Sequence, residues 1–318
     1  MGLAMRKPQT DAMASLAEVL APVLGPRLKR EELLGPRVGY RVGGPAALFA
    51  ECHSEEEAAR AVALAAEHSA PVFVLGRGTN LLVRDGGIRA LVISLEGALE
   101  NFECIETLPE GGAKVRAGAG MTTGALVQRL QKESLGGGEF LALIPGTMGG
   151  AVRMNAGAHG GEMSQILESV QVIAPGGKLE ERKAGELGLA YRKSNLKPDE
   201  IVTSMVMRFS KADPKESREK IREHAAYRQK TQPTNEPNAG SVFKNPPGDF
   251  AGRLLEQAGL KGLRVGGARV SEKHANFIVT EKGATAADVE ALAKVMREKV
   301  LEKFGIALEL EICLVGDA

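Results

Sequence analysis

The run Ile144-Pro145-Gly146-Thr147-Met148-Gly149-Gly150-Ala151, continued by Asn155-Ala156-Gly157 and by Gly160 and Gly161, constrains this chain more than any other feature. Glycine at that density weakens helix and strand alike, because each glycine gives up much backbone freedom on ordering. Two structures accommodate it: main chain laid against a flat or charged group, and a tight barrel-like bend. Glycine by itself does not choose between them. A smaller cluster, Gly76-Arg77-Gly78-Thr79-Asn80, follows Val72-Phe73-Val74-Leu75, which reads as a short buried strand. Small residues there let backbone N–H groups approach a phosphate. The cluster is not the dinucleotide fingerprint, since Leu81 stands at the third glycine position and no helix begins. Gly118-Ala119-Gly120 with Gly124 comes nearer, but its last spacing is one residue too long. A plain turn accounts for either.

The rest of the composition narrows the class. With 318 residues, 43% of them hydrophobic, the chain can bury two or three substantial cores. Lys plus Arg number 41 against 40 Asp plus Glu, so the basic excess of a nucleic-acid binder is missing and an anionic ligand must be held by a few placed groups. Cys52, Cys104 and Cys313 are too scattered for a disulfide framework or a zinc site and are expected to be buried thiols in a reducing cytoplasm. His53, His68, His159, His224 and His274 show neither metal spacing nor a triad partner, so no metal is expected. Ala12 to Gly25 is apolar after Arg6 and Lys7, but Glu18 and Pro22 interrupt it and Arg27, Lys29 and Arg30 continue the charge. It reads as a helix or loose leader rather than an export signal, and no segment is long and apolar enough to span a bilayer. The expectation is a cytoplasmic protein without membrane insertion or a nucleic-acid partner.

Local signals divide the chain into a leader (1–32), a small α+β unit (33–97), a glycine-rich unit (98–211) and a C-terminal unit (212–318). Ser54 with Glu57 reads as a capping box opening a helix to about His68, and Leu91-Val92-Ile93 as a strand. Thr122 caps a helix with Leu126 and Leu130 on one face. Ile201 to Phe209 alternates as a strand. The last helix runs from Ala286 to Phe304, capped by Thr285 and stopped by Gly305. Leu308 to Val315 alternates as a final strand that puts Glu309 and Glu311 on one face. Two further segments carry chemistry. Tyr191-Arg192-Lys193-Ser194 places an arginine ahead of a strand, and Asn238-Ala239-Gly240-Ser241-Val242-Phe243-Lys244-Asn245-Pro246 packs hydroxyl, amide and ammonium groups around a glycine turn.

Taken together, Tyr40-Arg41-Val42-Gly43-Gly44-Pro45, Gly76 to Leu82, Ile144 to Ala151, Asn155 to Gly157, Tyr191 to Ser194, Asn238 to Pro246 and His274-Ala275-Asn276-Phe277-Ile278 resemble the UDP-N-acetylenolpyruvoylglucosamine reductase family. Their order and spacing cover the chain from about Leu33 to its end, and the short link between Arg192 and Ser241 matches the variant without an inserted tyrosine-bearing loop. Gly39, where many relatives have threonine, and Arg153, where a small or apolar residue is common, depart from the pattern.

The resemblance implies an α+β fold: an FAD-binding module of the vanillyl-alcohol-oxidase type in two subdomains, followed by a C-terminal α/β substrate-binding domain. It implies an enzyme using non-covalent FAD, with NADPH as hydride donor, to reduce UDP-N-acetylglucosamine enolpyruvate to UDP-N-acetylmuramate in peptidoglycan precursor synthesis. By residue match, Gly76, Arg77, Gly78, Thr79, Asn80 and Leu81 hold the FAD diphosphate. Pro145, Gly146, Thr147, Gly149 and Gly150, with Asn155, Ala156 and Gly157, line the flavin. Arg192 stabilises the developing enolate, Ser241 protonates C2, and Glu311 assists as an acid or second polarising group. Lys244 and Asn245 meet the substrate carboxylate or diphosphate, and Lys230 the diphosphate. A monomer is expected. The rival readings are another FAD oxidoreductase on the same scaffold and an inactive nucleotide-sugar-binding regulator.

Overall fold

The computed structural model describes residues 7–95 and 97–318; the first six residues of the expected leader lie outside these. The chain opens with helix α1 (Lys7–Leu24), strands β1 (Leu28–Leu33) and β2 (Pro45–Glu51), and helix α2 (Glu55–Glu67). Three short strands come next, β3 (Val72–Leu75), β4 (Leu81–Val83) and β5 (Ile88–Ser94), then β6 (Phe102–Thr107) and β7 (Ala113–Gly118). Helix α3 (Thr123–Lys132), β8 (Leu135–Gly136), α4 (Met148–Arg153) and the two-residue strands β9 (Gly157–Ala158) and β10 (Gly161–Glu162) carry the glycine-rich stretch. They lead into β11 (Leu167–Ile173), β12 (Leu179–Lys183), β13 (Ile201–Lys211) and α5 (Pro214–Thr231). The chain ends with α6 (Ala251–Gln257), β14 (Arg264–Val265), β15 (Ala268–Val270), β16 (Ile278–Thr280), α7 (Ala286–Phe304) and β17 (Cys313–Val315).

These elements fold into two compact units built from interleaved segments. One takes the chain up to Glu31 with Ala47–Gly76 and Ala90–Ala225; the other takes Glu32–Ala46, Arg77–Arg89 and Ala226–Ala318. In the first unit one sheet runs β1-β2-β5-β3, with β3 and β5 parallel. Leu16, Leu20 and Leu24 of α1 and Ala58, Ala61 and Ala65 of α2 recur at helical spacing and are buried in one core with Leu48 and Leu91. A second, antiparallel sheet runs β12-β11-β13-β7-β6, with β8 beside the end of β13. Leu126 and Leu130 of α3 and Met148 and Val152 of α4 share its core with Val115, Met205 and Met207. In the second unit β14-β15-β16 form a small sheet, β17 pairs in parallel with β4, and α6 and α7 pack on a core that includes Phe243, Leu254 and Leu292.

The local signals mostly hold. Thr122 accepts from the Ala125 N–H at the start of α3, and Thr285 and Asp288 form the reciprocal box at the start of α7, which spans Ala286–Phe304 as read from the sequence. At α2 the Ser54 side chain caps the Glu57 N–H as expected, but the Glu57 carboxylate accepts from the His53 N–H and from Arg27 instead of closing the box. The final strand is shorter than its alternation implies. Leu310 makes only a bridge with Phe243, and pairing becomes continuous at Cys313–Val315, where the partner changes to β4. Of the cysteines only Cys52 is buried; Cys104 lies on a strand exposed from Glu103 to Thr107, and Cys313 is exposed at the start of β17.

Candidate functional site

In the first unit the glycine run and the arginine segment come together. Thr147 caps α4, its hydroxyl accepting from Gly150, while the Met148 and Gly149 N–H groups donate to the Met121 and Ala119 carbonyls. A Cβ on Gly76 would sit 2.8 Å from the Thr147 hydroxyl, so something would have to shift, and one on Gly149 would sit 3.1 Å from the Ala119 Cβ, a tight contact. Gly150 differs. A Cβ there would meet nothing nearer than the Thr147 hydroxyl at 3.6 Å, so the bare backbone leaves open room rather than filling a tight contact.

Asn155, fully buried at φ +41°, holds two later segments in place. Its Nδ2 donates to the Ala190 carbonyl at 3.1 Å and its Oδ1 accepts from the Ser164 N–H at 2.9 Å. Ala190 and Lys193 exchange two backbone hydrogen bonds, of 3.1 and 3.0 Å, closing a tight hairpin with Arg192 at φ +55°. That left-handed conformation is costly for a side chain with a Cβ and survives only where its surroundings hold it. Here they do: Arg192 Nη2 donates to the Gly157 carbonyl at 3.1 Å, and the guanidinium lies 5.1 Å from the Tyr191 ring. Ser194 donates to the Arg153 carbonyl, and the Arg153 side chain donates to the carbonyls of Leu196, Lys197 and Glu200. Arg153 is therefore an anchor of the segment after Arg192, a role its sequence position did not reveal. Glu200, 1% exposed, receives Arg182 at 2.7 and 3.1 Å; burial pulls its carboxyl up, but this guanidinium and the Lys197 N–H hold it below the usual range.

Gly118 and Gly120 belong to packing. A Cβ on either would lie 1.7 Å from a carbonyl oxygen, of Leu99 or Ala98, so these glycines permit two backbones to cross.

The second unit gathers Ser241, Lys244, Asn245, Glu311 and the loop from Arg77 to Leu81. Glu311 donates its N–H to the Val242 carbonyl at 2.8 Å, and Lys244 its N–H to the Glu309 carbonyl at 2.9 Å, so the Ser241 loop runs beside the chain end. Asn80 Nδ2 donates to the Glu311 carbonyl at 3.1 Å, and the Asn80 carbonyl accepts from Cys313. Gly78, at φ +57°, must be glycine, since a Cβ would also lie 2.6 Å from Val38. The half-buried Ser241 follows Gly240, at φ +78°, whose N–H donates to Asn238 Oδ1. Asn276, buried, was not singled out by sequence reasoning. It grips Phe243 at both ends, accepting its N–H at 3.0 Å and donating to its carbonyl at 2.8 Å, as a neighbouring strand would. A buried amide in a segment otherwise apolar, Ala275 to Ile278, is the signal that could have found it.

Other expected contacts take a different form. Asn245 Oδ1 accepts the Ala251 N–H, capping α6. Lys244 Nζ lies 3.4 Å from Glu309, and Lys230 is exposed on the last turn of α5. An open cavity of about 510 Å³ lies among Pro233, Asn235, Glu236, Arg269, Ser271 and Lys273, and a second of about 410 Å³ is lined largely by apolar residues of α7 and the chain end. None of the expected site residues lines either. Among the described residues no helix is long and apolar enough to cross a membrane, and no three His, Cys, Asp or Glu side chains are placed to hold a metal.

The donor set suits FAD. In the second unit Arg77 to Leu81 holds one cation and no acidic residue, as a diphosphate requires, and in the first unit Pro145 to Gly150 holds no charged residue, as an uncharged ring system requires. The open position at Gly150 gives a flat group room against backbone.

Comparison with known proteins agrees. Residues 46–182 match an FAD binding domain family, and residues 232–315 match the C-terminal domain of UDP-N-acetylenolpyruvoylglucosamine reductase. The chain is 44% identical to UDP-N-acetylenolpyruvoylglucosamine reductase 2 of Symbiobacterium thermophilum over 96% of its own length and 98% of that protein's. It is 44% identical to the reductase of Geobacter metallireducens over 91% of this chain and 94% of that one. The crystal structure of the Thermus caldophilus reductase matches 91% of this chain and 98% of its own, with a TM-score of 0.77 at 38% identity. Likeness of this extent, with the FAD-binding module and the C-terminal domain in their expected order, means that the chain belongs to the UDP-N-acetylenolpyruvoylglucosamine reductase family.

Proposed function

We propose that this protein reduces UDP-N-acetylglucosamine enolpyruvate to UDP-N-acetylmuramate, a step of peptidoglycan precursor synthesis, with NADPH as hydride donor. The observation that carries this reading is that the Glu311 backbone is bonded within one unit both to Val242, next to Ser241, and to Asn80, 231 residues away in sequence. The loops Gly76 to Leu81 and Pro145 to Gly150 would hold FAD, which would supply the relay of hydride from NADPH to C3 of the enol ether. The chain's own residues answer the charge and the proton. Negative charge develops at C2 and its carboxylate, and a guanidinium fixed beforehand, as Arg192 is, meets a carboxylate with two parallel hydrogen bonds and needs no reorganisation. Ser241 supplies the proton to C2. A hydroxyl is a weak acid, so it serves only a strongly basic centre and must be reprotonated from water or a polar neighbour. Glu311 assists as an acid or second polarising group. Arg77, Gly78, Thr79 and Asn80 hold the FAD diphosphate, and the Gly146–Gly150 backbone lines the flavin. Asn155 acts by holding the Arg192 hairpin, and Lys230, Lys244 and the Asn245 amide nitrogen reach toward the anionic groups of the sugar nucleotide. The protein works as a cytoplasmic monomer.

The test is an anaerobic absorption spectrum of the holoenzyme. Flavin absorbance should bleach with NADPH and return with the enolpyruvyl UDP sugar. In Ser241→Ala bleaching should persist while the return slows by about 10²–10⁴-fold, the range for a positioned proton donor. Bleaching without return in the wild type would point to a different reductase. Equal damage to both steps in the variant would remove Ser241 from its role.

A further inference from the structure

Neither His159 nor His224 has a part in that chemistry, yet their rings lie face to face, with centroids 3.7 Å apart and planes within 2°. Both belong to the first unit. His159 stands in the turn of the β9–β10 hairpin at φ +52°, a conformation that favours glycine and needs holding by its surroundings. His224 projects from α5, and its Nδ1 is buried without a hydrogen-bond partner among the described residues. A buried nitrogen left unpaired is unfavourable, so that nitrogen's bonding does not account for the ring's place. Its flat face does have a partner, the His159 ring.

The hairpin that carries His159 pairs Gly161 with Ala158 and Glu162 with Gly157. Gly157 in turn offers its carbonyl to Arg192 Nη2 at 3.1 Å. A continuous series of contacts therefore runs from α5 through two stacked rings and a short hairpin to the guanidinium. The hairpin itself is small, with Gly157, Gly160 and Gly161 among its six residues, and two backbone pairings give it little rigidity of its own.

We propose that the His159–His224 stack is a positioning device: α5 clamps the Gly157–Glu162 hairpin through the two rings and so fixes the Arg192 guanidinium for reduction of the sugar. This inference rests on the role proposed for Arg192. Geometry errors of an ångström at a catalytic group cost up to about 10²-fold in rate, and loss of one supporting contact should cost about tenfold.

The experiment uses the holoenzyme. In NMR spectra the His159 ring protons should carry the upfield shift of a stacked ring, and His224→Ala should abolish it. In anaerobic stopped flow, His224→Ala should slow flavin reoxidation by the enolpyruvyl UDP sugar about tenfold and leave reduction by NADPH within about twofold, since only sugar reduction depends on Arg192. His224→Phe, which keeps a ring for stacking, should restore most of the rate. In an Arg192→Lys background His224→Ala should add no further loss, because coupled residues are not additive. Unshifted ring protons in the wild type, an unchanged rate in His224→Ala, equal slowing of both steps, or full additivity with Arg192→Lys would each overturn the clamp. If Arg192→Lys alone reduces the sugar at the wild-type rate, the reading of Arg192 itself fails, an outcome separate from any result at His224.

Discussion

Tyr40 is wholly buried and its hydroxyl has no hydrogen-bond partner among the described residues, while its carbonyl accepts from Thr280. Burial pushes the phenol well above its ordinary range. An unmet buried hydroxyl is a net cost, so Tyr40→Phe should leave stability unchanged or raise it by up to ~1 kcal/mol, read as the midpoint of urea unfolding. Glu57 shows the reverse. Arg27 reaches both its oxygens, at 2.5 and 2.7 Å, and this hydrogen bonding, against some burial, draws the carboxyl down from 4.5 to about 2. A folded-state value below the unfolded one means the pair contributes fully above about 4.5 and loses its contribution as pH falls through about 2. Arg27→Ala should cost ~1–2 kcal/mol at neutral pH for this part-exposed pair. It should also flatten the fall of stability across that acid window in circular dichroism. Cys52, beneath the same pair, has its thiol pushed up to about 12 by burial and then by the Glu57 charge. In the native protein it should resist iodoacetamide while the exposed Cys104 is alkylated; comparable labelling of the two would contradict that burial.

At the scale of elements, α7 shows how local chemistry and tertiary contact divide the work. Thr285 was legible as its start because a cap needs only neighbouring residues, and the structure adds Asp288 as the other half of a reciprocal box. Asp85, remote in sequence, also caps it, accepting the Ala286 and Ala287 N–H groups at 2.9 and 3.0 Å, and nothing near Asp85 announces this. Thr285→Ala should cost ~1 kcal/mol, and Asp85→Ala more, ~1–3 kcal/mol, since it strands two N–H groups at once. Thermal unfolding of the two variants would rank them, and an Asp85→Ala protein as stable as wild type would show that water replaces the cap. The final strand was legible as alternation but not in extent. Periodicity records which side chains face inward, whereas strand assignment depends on which backbone lies alongside, first Phe243 and then β4.

For the whole molecule, ligand linkage gives the broadest check. A cofactor that binds only the folded chain should stabilise it by ~2.7 kcal/mol at a concentration a hundredfold above its Kd. Removing FAD should lower Tm, and adding it back should restore Tm. An unchanged Tm would mean that the glycine-rich loops do not hold it.

The sequence by itself determined the caps at Ser54, Thr122 and Thr285, the strand after which the Gly76 loop begins and the family to which the motifs point. Each of these depends on residues within a few positions of one another, or on short motifs read together. Only the tertiary structure decided that Glu32–Ala46 and Arg77–Arg89 fold with the C-terminal segment, that Asn155 serves backbone at Ala190 and Ser164, and that Asn276 stands in for a strand beside Phe243. Such roles are set by buried main-chain groups that must find partners wherever the fold brings one close, and the identity of a side chain does not record which distant carbonyl it will meet.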